Sequence, residues 1–150
     1  METFTTTPSK RIRWRQLAIQ AIVLLCALLF IYTATDKLLD YGKYVAQMQM
    51  VPFPPMKAAA PVLGLAVPLA ELAVVVVLFT DRLRKIGLIS ALALMCSFEI
   101  YIGAMLLSGI SLPCTCGGLI STMSWKQHLI FNATFIVLLA FALYQYIKPD

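Results

Sequence analysis

Four long runs almost free of charge leave this chain few folds to choose from. Residues 16–35 and 128–147 contain no Asp, Glu, Lys or Arg, residues 58–80 contain only Glu71, and residues 86–108 contain only Glu99. Crossing the hydrocarbon core of a bilayer takes about 20 apolar residues in helical form. A water-soluble bundle would need a polar stripe along each helix, and these runs have none. The chain is only 13% charged, against roughly a quarter for a soluble domain. The pattern predicts an all-α, integral membrane four-helix transmembrane bundle, with spans at 16–35, 58–80, 86–108 and 128–147. Residues 1–150 then make a single membrane domain with two longer loops, 36–57 and 109–127, on one side.

The basic stretch Lys10-Arg11-Ile12-Arg13-Trp14-Arg15 before the first run looks like the start of a secretory leader. The run itself exceeds the 7–15 residues of a leader core and ends in Asp36-Lys37, without a small-x-small cleavage site. It is expected to stay as an anchor. Lys and Arg in short loops set orientation, the richer side facing the cytoplasm. One side carries Lys10, Arg11, Arg13, Arg15, Arg82, Arg84, Lys85 and Lys148; the other carries Lys37, Lys43, Lys57 and Lys126. Both termini are therefore expected in the cytoplasm. In a bacterium the 109–127 loop then faces the periplasm from the inner membrane. The net charge of +5 is accounted for by this topology and calls for no nucleic acid.

That loop holds Pro113-Cys114-Thr115-Cys116-Gly117-Gly118. Disulfides persist in an oxidising compartment, and the glycines free the backbone to turn and leave the sulfurs open to a partner. A Cys-x-Cys disulfide closes a small strained ring, which suits exchange better than stapling. A static loop disulfide and two free thiols remain the bland readings. A zinc site usually takes four ligands, and His128 is the single histidine, so no metal is expected. Cys26 and Cys96 lie inside spans 1 and 3, where a thiol behaves as a small apolar residue.

Glu71 falls near the middle of span 2. Glu99 is about eight residues from the outer end of span 3, roughly 12 Å deep at 1.5 Å per residue. A carboxyl at such depth marks a proton pathway, a paired group or a neutralised acid fixing helix packing. Pro68, one turn before Glu71, frees a backbone carbonyl and favours a polar pocket there. His128 opens span 4 with Asn132 one turn deeper on the same face, and Trp125 stands at headgroup level. An imidazole so placed could polarise a thiol or accept a hydrogen bond from a quinone; Trp125 to His128 also read as an interface belt and helix start. Within 36–57, Leu38, Leu39, Tyr41, Tyr44, Val45 and Met48 recur at helical spacing. Val51-Pro52-Phe53-Pro54-Pro55 then ends any helix. This predicts an extension of span 1 or a short helix along the outer surface.

Several of these pieces together resemble a known family. Thr35-Asp36-Lys37-Leu38-Leu39-Asp40-Tyr41 is similar to the end of the first helix in DoxX-like and MauE membrane proteins. Pro68-Leu69-Ala70-Glu71-Leu72 resembles their Glu-bearing second helix. Phe98-Glu99-Ile100-Tyr101, the Cys114–Gly118 segment and Trp125, His128 and Asn132 resemble the MauE branch. The resemblance implies a four-helix membrane bundle that forms or maintains disulfides of periplasmic proteins. Lys37, Glu71, Tyr101, Cys114, Cys116, Trp125, His128 and Asn132 carry over as its characteristic residues, and Gly118 as a structural one. On this reading Cys114 and Cys116 exchange electrons with a thioredoxin-fold or client protein. The membrane acceptor is a quinone held near Trp125, Tyr101, His128 and Asn132, with Glu71, Glu99 and His128 handling protons. Cys26 and Cys96 are too deep to form a second surface pair, so transfer runs directly between the loop pair and the membrane carrier. The alternative is a non-catalytic anchor or assembly subunit of a larger membrane complex, its cysteine loop a structural clip among lipids and partner chains.

Overall fold

The computed structural model describes residues 10–51, 53–107 and 124–148. Five α-helices account for nearly all of them: α1 (Lys10–Leu39), α2 (Tyr41–Gln49), α3 (Pro54–Phe79), α4 (Arg84–Leu107) and α5 (Trp125–Ile147). A single 3-10 turn, Asp81–Leu83, links α3 to α4, and there is no strand among the described residues. The four long helices have the length and composition to cross a membrane, their most apolar windows averaging 1.8 to 2.6 in hydropathy. The longest of them is α1, with 30 residues.

Helix α1 does not stop at Asp36-Lys37 but runs on to Leu39. Lys37 is therefore not a cation of the outer loop: it is 5% exposed, inside the bundle. A hydropathy reading ends a span at its first charges, whereas the helix continues because that ammonium finds a buried partner on α3.

The proline cluster behaves as a boundary in both directions. It follows α2, and Pro54 and Pro55 then supply the first turn of α3, where a missing N–H costs nothing. Pro61 and Pro68 are accommodated inside α3. The α2 segment is a separate helix. It packs chiefly on α3 rather than continuing α1, burying Tyr44 and Met48 against Ala60, while Tyr41 Oη donates to the Pro61 carbonyl at 2.8 Å.

The long helices form a closed ring in which α1 packs on α3, α3 on α4, α4 on α5 and α5 on α1. Arg15 donates to the carbonyls of Gln145 at 2.7 Å and Lys148 at 3.0 Å, tying the start of α1 to the end of α5. A cation satisfies the unpaired carbonyls that close a helix. The main core, built on Cys26, Ala27, Phe30, Leu78, Leu88 and Leu139, fills the ring at this end. At its tightest point a Cβ on Gly87 would stand 2.9 Å from the Leu78 backbone nitrogen. Outward, Leu24, Leu28, Leu65, Val76, Ile130 and Val137 are exposed. An apolar surface on all sides of a helical bundle is a lipid-facing surface.

Candidate functional site

Away from the α3–α4 turn the ring opens around a cavity of about 150 Å³, lined from α1, α2, α3, α4 and α5. It lies between the main core and the small cluster of Tyr44, Met48 and Ala60. Most of its wall is apolar, with Phe30, Met95, Phe98 and Phe131 among the lining residues. The exceptions with polar groups are Thr33, Lys37, Tyr44, Glu71, Tyr101, His128 and Asn132.

On one wall Lys37 Nζ donates to Glu71 Oε1 at 2.5 Å. Thr33 Oγ1, one helical turn before Lys37, reaches the same oxygen at 3.3 Å. Glu71 is 0% exposed, so neither charge of the pair reaches bulk solvent. Burying either alone would cost several kcal/mol; together they are neutral. The ammonium also lies 5.1 Å from the Phe98 ring centroid and 5.8 Å from that of Tyr44, close enough for cation–π attraction. Two α1 side chains thus converge on a single oxygen of Glu71.

The facing wall comes from the first turns of α5. Ser124 Oγ accepts from the Gln127 backbone N–H while Gln127 Oε1 accepts from the Ser124 N–H. This reciprocal cap fixes where the helix begins. It places His128 and Asn132 on the inward face, one turn apart, 3% and 4% exposed. Glu99 on α4 interacts electrostatically with His128 but does not line the cavity.

Three deeply buried side chains leave polar atoms unused here: Glu71 Oε2, His128 Nδ1 and Asn132 Nδ2 have no hydrogen-bond partner among the described residues. Buried polar groups are normally satisfied. Three such atoms around one cavity describe a place for something with hydrogen-bonding groups of its own.

Of the residues singled out in the sequence, Lys37, Glu71, Tyr101, His128 and Asn132 come together around this cavity, and Glu99 lies beside it. Cys114, Cys116 and Gly118 fall outside the described residues, as does the side chain of Trp125, whose backbone starts α5. The residues flanking the cysteine segment, Leu107 and Ser124, are both near the cavity: Tyr101 and His128 lie within two turns of them. Cys26 and Cys96 are free thiols, the first buried in the main core. Thr33, Tyr44 and Phe98 had no assigned role. The Thr33–Lys37 spacing, one turn on one face, was the signal available for the first.

A sequence model of a family described as methylamine utilisation protein MauE matches residues 15–145. No curated protein and no solved structure matches the chain.

Proposed function

The chain belongs to the MauE family, and from that premise we propose that it is a thiol–disulfide redox protein of the bacterial inner membrane. Cys114 and Cys116 form the reactive pair, exchanging electrons with a periplasmic thioredoxin-fold or client protein on one side and a quinone in the cavity on the other. Both termini are cytoplasmic and the cysteine segment is periplasmic. Withdrawing Lys37 from the outer loop sharpens the charge asymmetry behind that orientation.

The observation that carries this reading is the cavity itself. It has a volume that holds a single aromatic ring, apolar walls, and unused polar atoms on Glu71, His128 and Asn132. The two helices that lead into and out of the cysteine segment contribute Tyr101 and His128 to it. A quinone supplies the chemistry of taking up two electrons and two protons to become a quinol. The cysteines account for those electrons: two client thiols become a disulfide as the Cys114–Cys116 disulfide becomes two thiols. Restoring the disulfide releases two electrons and two protons toward the cavity. Within the bundle, Asn132 Nδ2 would hold a ring oxygen by donating a hydrogen bond, His128 would orient the ring or receive a proton, and the apolar wall would exclude water.

The test is to trap the thiol state of Cys114 and Cys116 in intact cells, in a variant lacking Cys26 and Cys96. Acid quenching and a mass-shifting maleimide report the state with and without quinone. The expected result is a pair that is oxidised normally and reduced when quinone is depleted. A pair that ignores quinone removes the proposed acceptor, and a pair locked in one state throughout points to a structural clip in an assembly subunit.

A further inference from the structure

The two oxygens of Glu71 are not equivalent, and the difference determines which form of a ring the cavity prefers. Lys37 Nζ and Thr33 Oγ1 both donate to Oε1. Oε2 is buried and has no partner among the described residues. Taken as an ammonium–carboxylate pair, Lys37 and Glu71 leave Oε2 as an acceptor that a donor brought into the cavity would satisfy. On the same cavity, Asn132 Nδ2 is a donor without an acceptor among the described residues. The residues around this ring-sized, mostly apolar space thus carry one unmet acceptor and one unmet donor.

We propose that Glu71 Oε2 and Asn132 Nδ2 form an acceptor–donor pair that selects the hydroxyl-bearing form of the bound ring, so that this site holds a quinol more tightly than the matching quinone. This rests on the redox reading above. A quinol hydroxyl donates to Glu71 Oε2, while its second oxygen accepts from Asn132. A quinone offers only carbonyl oxygens, and one of them would face the carboxylate as acceptor against acceptor. Asn132 serves both forms alike, so the discrimination comes from Glu71. A hydrogen bond to a charged group, set against the same group left unpaired, corresponds to roughly a 10- to 100-fold difference in affinity. By linkage, a site that prefers the reduced form makes the bound ring a stronger acceptor of thiol electrons than the free one. Lys37 is then a positioning residue that acts through Glu71.

The test measures binding, not turnover. The full chain carrying Cys114→Ser and Cys116→Ser, which cannot pass electrons, is titrated in lipid nanodiscs without oxygen. The probes are a short-chain benzoquinone and its quinol, followed by calorimetry. The quinol is expected to bind 10- to 100-fold more tightly. Glu71→Gln should abolish the preference, whereas Asn132→Leu should weaken both forms and keep it. If Glu71→Gln does not fold, the double variant Lys37→Met/Glu71→Leu takes its place and should likewise show none. Equal affinities overturn the proposal and assign Glu71 Oε2 to a water molecule. A preference that survives loss of Glu71, or no binding of either form, overturns it too. The thiol-trapping experiment succeeds or fails independently of these titrations, so the two failures can be told apart.

Discussion

The two halves of the bundle are built on opposite principles. Toward the α3–α4 turn, Ala27, Ala91 and Ala142 are essentially fully buried, and Gly87 lets α4 approach the backbone of Leu78 on α3. Small residues allow helices in lipid to gain dispersion contacts over long stretches. Toward the other end the helices stand apart around charged and amide side chains, with buried polar atoms left unsatisfied. The first half holds its shape mainly by apolar packing, with Arg15 tying α1 to α5 at its margin. The second carries polar groups that packing alone would replace with Leu or Phe. An expense confined to one half marks where a membrane bundle does its work.

The comparison breaks most visibly at Lys37. Lys37→Met leaves Glu71 charged and unpaired and is expected to cost about 3–5 kcal/mol, read as a loss of folded protein or a lowered denaturation midpoint in detergent. Lys37→Met/Glu71→Leu removes both charges and should return most of that stability, because a buried pair is often no better than apolar side chains of similar size. The double variant should nevertheless lose the cavity's preference among ligands. Equal stability of the wild type and Lys37→Met would mean that the pair is solvated and the two halves are not so different.

A methyl group sharpens the other side of the contrast. At Gly87 an added Cβ meets backbone, 2.9 and 3.0 Å from Leu78 N and Cα, so α3 and α4 must part. Gly87→Ala is expected to destabilise by about 1–3 kcal/mol, in the range of overpacked cores. At Gly64 the same methyl meets the Val45 and Tyr41 side chains of α2 at 2.6 and 3.0 Å. Those tips can rotate on a short helix, so Gly64→Ala should be milder in the same denaturation series. The reverse ranking would place the rigid half at the cavity end.

The halves were also unequally legible in the sequence. The all-α membrane fold followed from run length and charge, because a bilayer imposes one period and one length on every segment that crosses it. Glu71, and His128 with Asn132 one turn on, stood out as polar residues in apolar surroundings. The partner of Glu71 did not, since Lys37 lies 34 residues away on a helix that local hydropathy ends too early. Long-range pairing leaves no periodic trace. The packing of α2 on α3 was likewise ambiguous, because an amphipathic stretch fits a membrane surface and a neighbouring helix equally well.

The smallest expected effect on stability lies where the helix that follows the cysteine segment begins. Ser124 caps α5 through its reciprocal bonds with Gln127, and its carbonyl accepts from the His128 N–H at 3.0 Å. Ser124→Ala removes one cap oxygen and should cost about 0.5–2 kcal/mol, while Ser124→Asp retains an acceptor and should cost less. Without that cap the first turn of α5 is expected to fray before the rest, and His128 stands at that turn. Cavity binding in Ser124→Ala should therefore weaken out of proportion to its stability, and Ser124→Asp should restore it. If both variants bind as the wild type does, His128 is held by the walls of the cavity and not by its helix start. The polar half would then share more of the rigidity of the other half than its open packing suggests.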